Sequence, residues 1–395
     1  MVSSTVGIGL VGLGDISRKR YLPQVLSSPH AHLAAVCSRH EGALDGLTTE
    51  VPRERWHSDF RALVAQPDVD AVIVASPHPT HADVAIATLA ADKHVLIEKP
   101  LVTSFADAQA IASSATASSA VVMALPWDQD PVDQVIHSVL QQGVLGTIVS
   151  VRLVNGGRGP MYRKGAHDPD WAFKKEAGGG VLIGHGVYGL ARIARIVGPA
   201  ASVQAEMALL RPKRSMPAAD AVILMENEDY CALSLQTGTG QEVTFECGWT
   251  YAAPPDTLTI TGTNGVLTSV GRSTVFVQGH DQQEHATALA ALGFSFDQAS
   301  KITTVRRADV TPPGPAPTIV DDFVDCITTG RAPTASLEQA VHVTEQMMAA
   351  YESSAAGGVR LPLTTTFAPS PALPPEVLVL EGRDTPHFEA SGRFR

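Results

Sequence analysis

A lysine stands between a glutamate and a proline at residues 98–100, directly behind the apolar run VLI. An amine in that setting is partly stripped of water, which disfavours its charged form and lowers its pKa. It can then exchange a proton with a substrate hydroxyl. Pro100 restrains the backbone of Lys99. Further along, GGGVLIGHGVYGL at 178–190 runs three glycines into an apolar helix carrying His185 and Tyr188. That helix keeps Gly184, although a glycine inside a helix costs about 1 kcal/mol relative to alanine. Positions 184 and 188 share one face, so the glycine is expected to clear space over the tyrosine. The stripe Ile183, Val187, Leu190, Ala194 and Val197 reads as core.

Two further clusters speak of a dinucleotide. GLVGLGDIS holds Gly12-x-Gly14-x-x-Ser17, with serine in the place of the fingerprint's third glycine. Gly12 and Gly14 let the backbone approach a pyrophosphate, and the helix opening at Asp15 and Ile16 offers N–H groups and partial positive charge. The next strand ends in CSRHE, with Ser38 where an acidic residue would bond the ribose hydroxyls, and Arg39 after it. A hydroxyl with a guanidinium suits a 2'-phosphate. NADP is therefore the preferred expectation, and nearby Glu41 leaves NAD open. The aperiodic stretch 156–175 offers Arg158, Arg163, His167, Asp168 and Trp171. It reads as a substrate loop, with Trp171 able to pack on a sugar face and Arg163 able to hydrogen bond. The His167-Asp168 pair lacks the companion spacing of a metal site, and no metal is expected.

The elements that must position these groups follow an alternating pattern. Short apolar runs at 5–12, 32–38, 70–77, 94–100 and 120–125 alternate with helical stretches from 16, at 81–92 and at 105–115. That alternation means a doubly wound parallel sheet over residues 1–125. Thr80 and Asp83 give the middle helix a start signal. After a helix opening at Pro131, β-like runs at 147–154, 201–209, 221–227, 230–237, 241–249 and 257–270 point to a second, α+β domain over 126–363 with an antiparallel or mixed sheet. Asn264-Gly265 marks a hairpin. Residues 364–395 are Pro-rich and read as a tail.

The 395 residues suit two domains. A net charge of -11 argues against nucleic acid or an anionic membrane as the main partner. Cys37, Cys231, Cys247 and Cys326 are scattered, as in a cytosolic protein with reduced thiols. The first residues lack the basic start of an export signal, and no run of about 18 apolar residues suggests a membrane span.

The glycine loop, ASPHPTHADVA, EKP and GGGVLIGHGVYGL, in this order and spacing, resemble the Gfo/Idh/MocA family, the glucose–fructose oxidoreductase and inositol dehydrogenase type. The resemblance spans residues 5 to 363 and takes in TITGTNGVL and IVDDFVDCITTGRAP. It implies a Rossmann domain joined to an α+β domain whose large open, mainly antiparallel sheet forms homodimer or homotetramer interfaces. It also implies redox chemistry with NAD(P) on a sugar or polyol carbon. By position, Lys99 matches the family's catalytic lysine, and Ser76, Pro77, His81, Glu98 and Pro100 fall along the cofactor. Family helices after GGG commonly carry an aspartate and, four residues on, a histidine or a tyrosine. Here Gly184 and Tyr188 hold those places, so the tyrosine branch is matched and the aspartate is missing. Tyr188 would then relay a proton or polarise a carbonyl, with the nicotinamide between it and Lys99 and with His185 partly standing in for the aspartate. The missing carboxylate also fits a cofactor-binding regulator that no longer catalyses, like a co-repressor in this family. An enzyme that regenerates its cofactor in place is a third reading.

Overall fold

Unbroken aliphatic runs make strands that are buried on both faces. β1 (Val6–Val11) is buried at all six positions; β2 (Ala31–Cys37), the two-residue β3 (Trp56–His57), β4 (Ala71–Val74), β5 (His94–Ile97) and β6 (Val122–Ala124) complete its sheet. Every pairing is parallel, in the order β3-β2-β1-β4-β5-β6. The order reverses between β1 and β4, and ligands bind at such switch points, beyond the carboxyl ends of the strands. This is a computed structural model, and it describes residues 5–43, 51–124, 130–157, 159, 173–216, 221–250, 256–271, 273–279, 282–297, 302–306 and 317–368.

A π-helical turn (Ser17–Tyr21) leads into α1 (Leu22–Ser27); α2 (Phe60–Val64), α3 (His81–Ala90) and α4 (Phe105–Thr116) follow. Ser104 caps α4 by accepting the Asp107 N–H at 3.1 Å. The start signal expected of Thr80 is not used that way. A 3-10 turn precedes α3, and the Thr80 hydroxyl turns back to the Pro77 carbonyl at 2.8 Å.

The second half opens with α5 (Pro131–Gln141), capped by Asp130. β7 (Ile148–Gly156), α6 (Val187–Val197), β8 (Ala200–Ala208), β9 (Lys213–Met216), β10 (Ala221–Leu224), β11 (Tyr230–Thr237), β12 (Glu242–Gly248), β13 (Thr257–Gly262), β14 (Gly265–Val270), β15 (Thr274–Gly279), α7 (Gln282–Ala291), β16 (Ser295–Asp297) and β17 (Ile302–Arg306) follow. Ten strands form one sheet in the order β16-β17-β15-β14-β13-β7-β12-β11-β8-β18, its edge being β18 (Leu361–Pro362); β9 and β10 pair separately. Only β7 and β12 pair in parallel; the other neighbours are antiparallel. Alternation is regular along β11, whose Cys231, Leu233 and Leu235 are buried with Val243 and Phe245 of β12 and Leu190 and Ala194 of α6. The opposite face is polar, with Arg152, Gln204, Glu206 and Thr244 exposed.

α8 (Ile319–Thr329) and α9 (Leu337–Ala355) follow. Thr318 and Asp321 form a reciprocal capping box at the head of α8. Although late in the chain, α8 packs on the first sheet: Ile319, Val320 and Phe323 share one core with Ile8, Leu10 and Ile73. α9 joins both halves, with Leu337 and Val341 against Ile111 of α4, and Met347 and Ala350 in the second core. Of the expected tail, residues 364–368 are held in place. The Glu345 carboxylate accepts from the N–H groups and hydroxyls of Thr364 and Thr365, and Phe367 packs on His342. Residues 369–395 lie outside the described ones. Among the described residues one helical stretch, Lys175–Val197, is long and apolar enough to cross a membrane, but 78% of its 18-residue apolar window is buried within the protein, as in a core helix.

Candidate active site

The glycine loop leaves β1 at the switch point. Gly12 has φ +93°, and a Cβ there would come within 2.4 Å of the Ala75 carbonyl oxygen, so only glycine serves. Gly14 is the reverse case: it is exposed, and a Cβ on it would meet nothing within 4 Å. That open space beside the first turn of a helix fits a dinucleotide pyrophosphate. Ser17 is buried and donates to the Gly12 carbonyl at 2.5 Å, which ties the turn. Asp15 pairs with Lys19 at 2.8 Å, and Ile16 is exposed at the loop mouth. At the end of β2 the Ser38 hydroxyl accepts the His40 N–H at 3.2 Å, and Arg39 is exposed.

Glu98, Lys99 and Pro100 lie at the carboxyl end of β5, with a cis peptide between the last two. Lys99 Nζ donates to the Gly184 carbonyl at 3.0 Å and lies 5.0 Å from the centroid of the Tyr188 ring. The ammonium therefore meets the tyrosine face directly, with no room for a nicotinamide ring between them. Burial pushes the Lys99 amine below its ordinary range, and the Glu98 carboxylate pulls it partly back up. His81 is fully buried: Nδ1 faces the Pro100 carbonyl and Nε2 the Ser76 carbonyl, each at 2.9 Å. It clamps the β4 loop to the β5 loop. Ser76 also shares a hydroxyl contact with Thr80 at 2.7 Å, and Pro77 is exposed.

From the second half comes a glycine run shaped by three close approaches. Gly178 has φ +63°, and a Cβ there would strike Thr103 at 2.3 Å. Gly180 has φ +120° and abuts the carboxylate of Glu228, which caps the helix through the Leu182 N–H at 3.0 Å. A π-helical turn (Leu182–Gly186) then passes into α6; such turns often mark functional sites. At Gly184 the room is already taken. A Cβ there would lie 3.1 Å from the indole of Trp249, a residue 5% exposed whose backbone carbonyl accepts from the Arg214 guanidinium at 2.9 Å. An indole thus lies where space over Tyr188 was expected. His185 meets Tyr188 edge-on, 6.5 Å between centroids.

Lys99, Tyr188 and His185 therefore converge from two elements, with Glu98, Pro100 and His81 beneath them. Arg163 and Trp171, with Arg158, His167 and Asp168, lie outside the described residues. Sequence reasoning missed Trp249, Tyr21 and His78. Tyr21 is fully buried and donates to Glu98 at 3.0 Å. His78 sits beside Lys99 and His81 with its ring on the backbone of Ala177 and Gly178, and burial pushes it down to about 3, so it stays neutral. The signal for His78 was its place between prolines in SPHPTH; for Trp249 it was the single aromatic closing ECGW. Tyr21 gave none.

Comparisons with known proteins agree with this architecture. A model described as an oxidoreductase family with an NAD-binding Rossmann fold matches residues 6–125, and its companion, a C-terminal alpha/beta domain, matches 137–363. The dTDP-3,4-didehydro-2,6-dideoxy-alpha-D-glucose 3-reductase of Actinomadura kijaniata is 29% identical over 187 residues, 47% of this chain and 54% of its own. Levoglucosan dehydrogenase of Pseudarthrobacter phenanthrenivorans is 26% identical over 204 residues, 50% of this chain and 48% of its own. The chain thus spans about half the length of the curated relatives it matches. The WlbA dehydrogenase of Bordetella pertussis, solved with NADH and UDP-GlcNAcA, superposes with a TM-score of 0.73 at 20% identity, covering 92% of this chain and 99% of its own. At that identity the likeness speaks for the fold.

Proposed function

The chain belongs to the Gfo/Idh/MocA oxidoreductase family, and from that premise we propose that it moves a hydride between a nicotinamide dinucleotide and a carbinol or carbonyl carbon of a sugar, sugar derivative or polyol. One observation carries this reading: the half-buried Lys99 amine lies against Tyr188 at the carboxyl edge of a parallel sheet that also offers the open Gly14 cradle. Gly12, Gly14 and the N–H groups of Asp15 and Ile16 hold the pyrophosphate. The loop of Ser76, Pro77 and His81 and the turn at Glu98 and Pro100 line the rest. When bound, the nicotinamide accepts or supplies the hydride. In oxidation the substrate O–H bond breaks, its proton passes to the neutral Lys99 amine and the carbonyl forms; in reduction Lys99 returns it. The Tyr188 phenol steadies the ammonium and hydrogen bonds the reacting oxygen, and His185 flanks it.

The carbohydrate class is supported by the deoxysugar reductase and levoglucosan dehydrogenase among the relatives. NADP is the preferred partner on the strength of Ser38 and exposed Arg39 at the end of β2; the NADH in the WlbA complex favours NAD instead. A homodimer or homotetramer through the polar face of the large sheet, in the cytoplasm, completes the reading. The test follows reduced-nicotinamide absorbance with NADP(H) and NAD(H) in parallel over a panel of sugars, anhydrosugars and inositols. Turnover is expected, with Lys99→Ala lowering kcat by about 10²- to 10⁴-fold while dinucleotide affinity holds. The buried indole at Gly184, where the family helix carries a carboxylate, favours a second reading, a dinucleotide-binding regulator. Tight binding without turnover over the whole panel would select it.

A further inference from the structure

Glu98 is 5% exposed, yet both of its oxygens are engaged. One accepts the Tyr21 hydroxyl at 3.0 Å, with the Arg20 guanidinium at 3.8 Å; the other accepts the backbone N–H of Lys99 at 2.7 Å. Tyr21 closes the π-helical turn that begins beside the glycine loop. One carboxylate thus links the helix at the dinucleotide cradle to the backbone of the residue that moves the proton. We propose that Glu98 and Tyr21 are positioning residues for Lys99: Glu98 fixes its backbone and supplies the nearby negative charge that favours its ammonium, and Tyr21 holds Glu98 to the dinucleotide-binding helix. The inference rests on Lys99 being the acid–base group of the proposed reaction.

The surroundings support Glu98 as the controlling negative charge. Arg20 and Tyr21 approach from the π turn, His78 and His81 from the β4 loop and the start of α3, and His185 and Tyr188 from the helix of the other half. His78 and His81 are pushed towards neutrality by burial, and the Tyr21 phenol is held protonated by burial and by Glu98. Among the described residues of this group, Glu98 is the carboxylate. Removing its charge disfavours the ammonium, so the amine should deprotonate at lower pH.

Two measurements on the full chain need no turnover. Trace acetylation of Lys99 with acetic anhydride, read by peptide mass spectrometry from about pH 6 to about pH 11, titrates the amine directly. In Glu98→Gln the midpoint should fall by about one unit or more, and an unmoved or raised midpoint would overturn the role of Glu98. Tyr21→Phe keeps the buried ring and removes the hydroxyl. Deuterium exchange at the Lys99 amide should then quicken about five- to tenfold, and unchanged exchange would overturn the role of Tyr21. Should Glu98→Gln fail to fold, the Tyr21→Phe arm still decides whether the link exists. A shifted titration in a protein that turns over no sugar would sink the proposed reaction and leave this linkage standing.

Discussion

Gly184 and Trp249 are best understood as one unit. A glycine in a helix normally reflects a demand for space, and the indole edge 3.1 Å from its missing Cβ supplies that demand. An aspartate here would drive a carboxylate into an indole already buried in the core. Gly184→Asp should cost about 2–4 kcal/mol, from overpacking plus burial of a charge, against only about 0.3 kcal/mol regained in helix propensity. In a Trp249→Ala background the same change should cost at least about 1 kcal/mol less. Urea denaturation of the four proteins in a double-mutant cycle measures the coupling. Additive losses would mean that the indole is not what glycine serves. At the same scale, Lys99 and Tyr188 were legible because short motifs announced them. The Tyr21–Glu98 link was not: its partners lie far apart in the chain, and nothing in RKRYLP says where a tyrosine will point.

Elements here are fastened by buried histidines whose neutrality the fold demands. His342 of α9 accepts the Ala200 N–H through Nε2 at 3.0 Å, tying α9 to β8, and burial lowers it to about 4. His78, lowered to about 3, ties the β4 loop to the glycine run before α6. In both, the folded state binds the proton more weakly than the unfolded chain, so their contribution is complete above about pH 6.5 and is lost as pH falls towards about 4 and about 3 respectively. Melting temperature should therefore decline from pH 7 to pH 5, and His342→Asn should flatten part of that slope while lowering stability at neutral pH. Thermal melts across that range would show an undiminished slope in the variant if the assignment is wrong. The first sheet was readable because continuous aliphatic runs admit few alternatives, and β11 because its alternation is unbroken. The two-residue β3 and the strand β9 were missed, being too short or too polar to carry a period. The π turns at 17–21 and 182–186 were invisible, because each is a single turn, too short to set a period of its own.

At the scale of the whole molecule, the large sheet buries one face under α6 and α9 and presents the other as a polar surface across β7, β8, β11 and β12. If that face joins copies of the chain, light scattering should report a dimer or tetramer in solution. Arg152→Glu with Thr244→Glu should then convert it to monomer without unfolding it, and an unchanged mass would remove this face from consideration. The two halves are not consecutive beads. Phe323 and its neighbours on α8 finish the core begun by Ile8 and Leu10, hundreds of positions earlier in the chain. A nascent polypeptide would thus carry its nucleotide lobe unfinished, with greasy surface waiting for a cover, until α8 has been made. Chaperones have that whole interval in which to bind, and a prematurely terminated product would be left with an open wound rather than a working half.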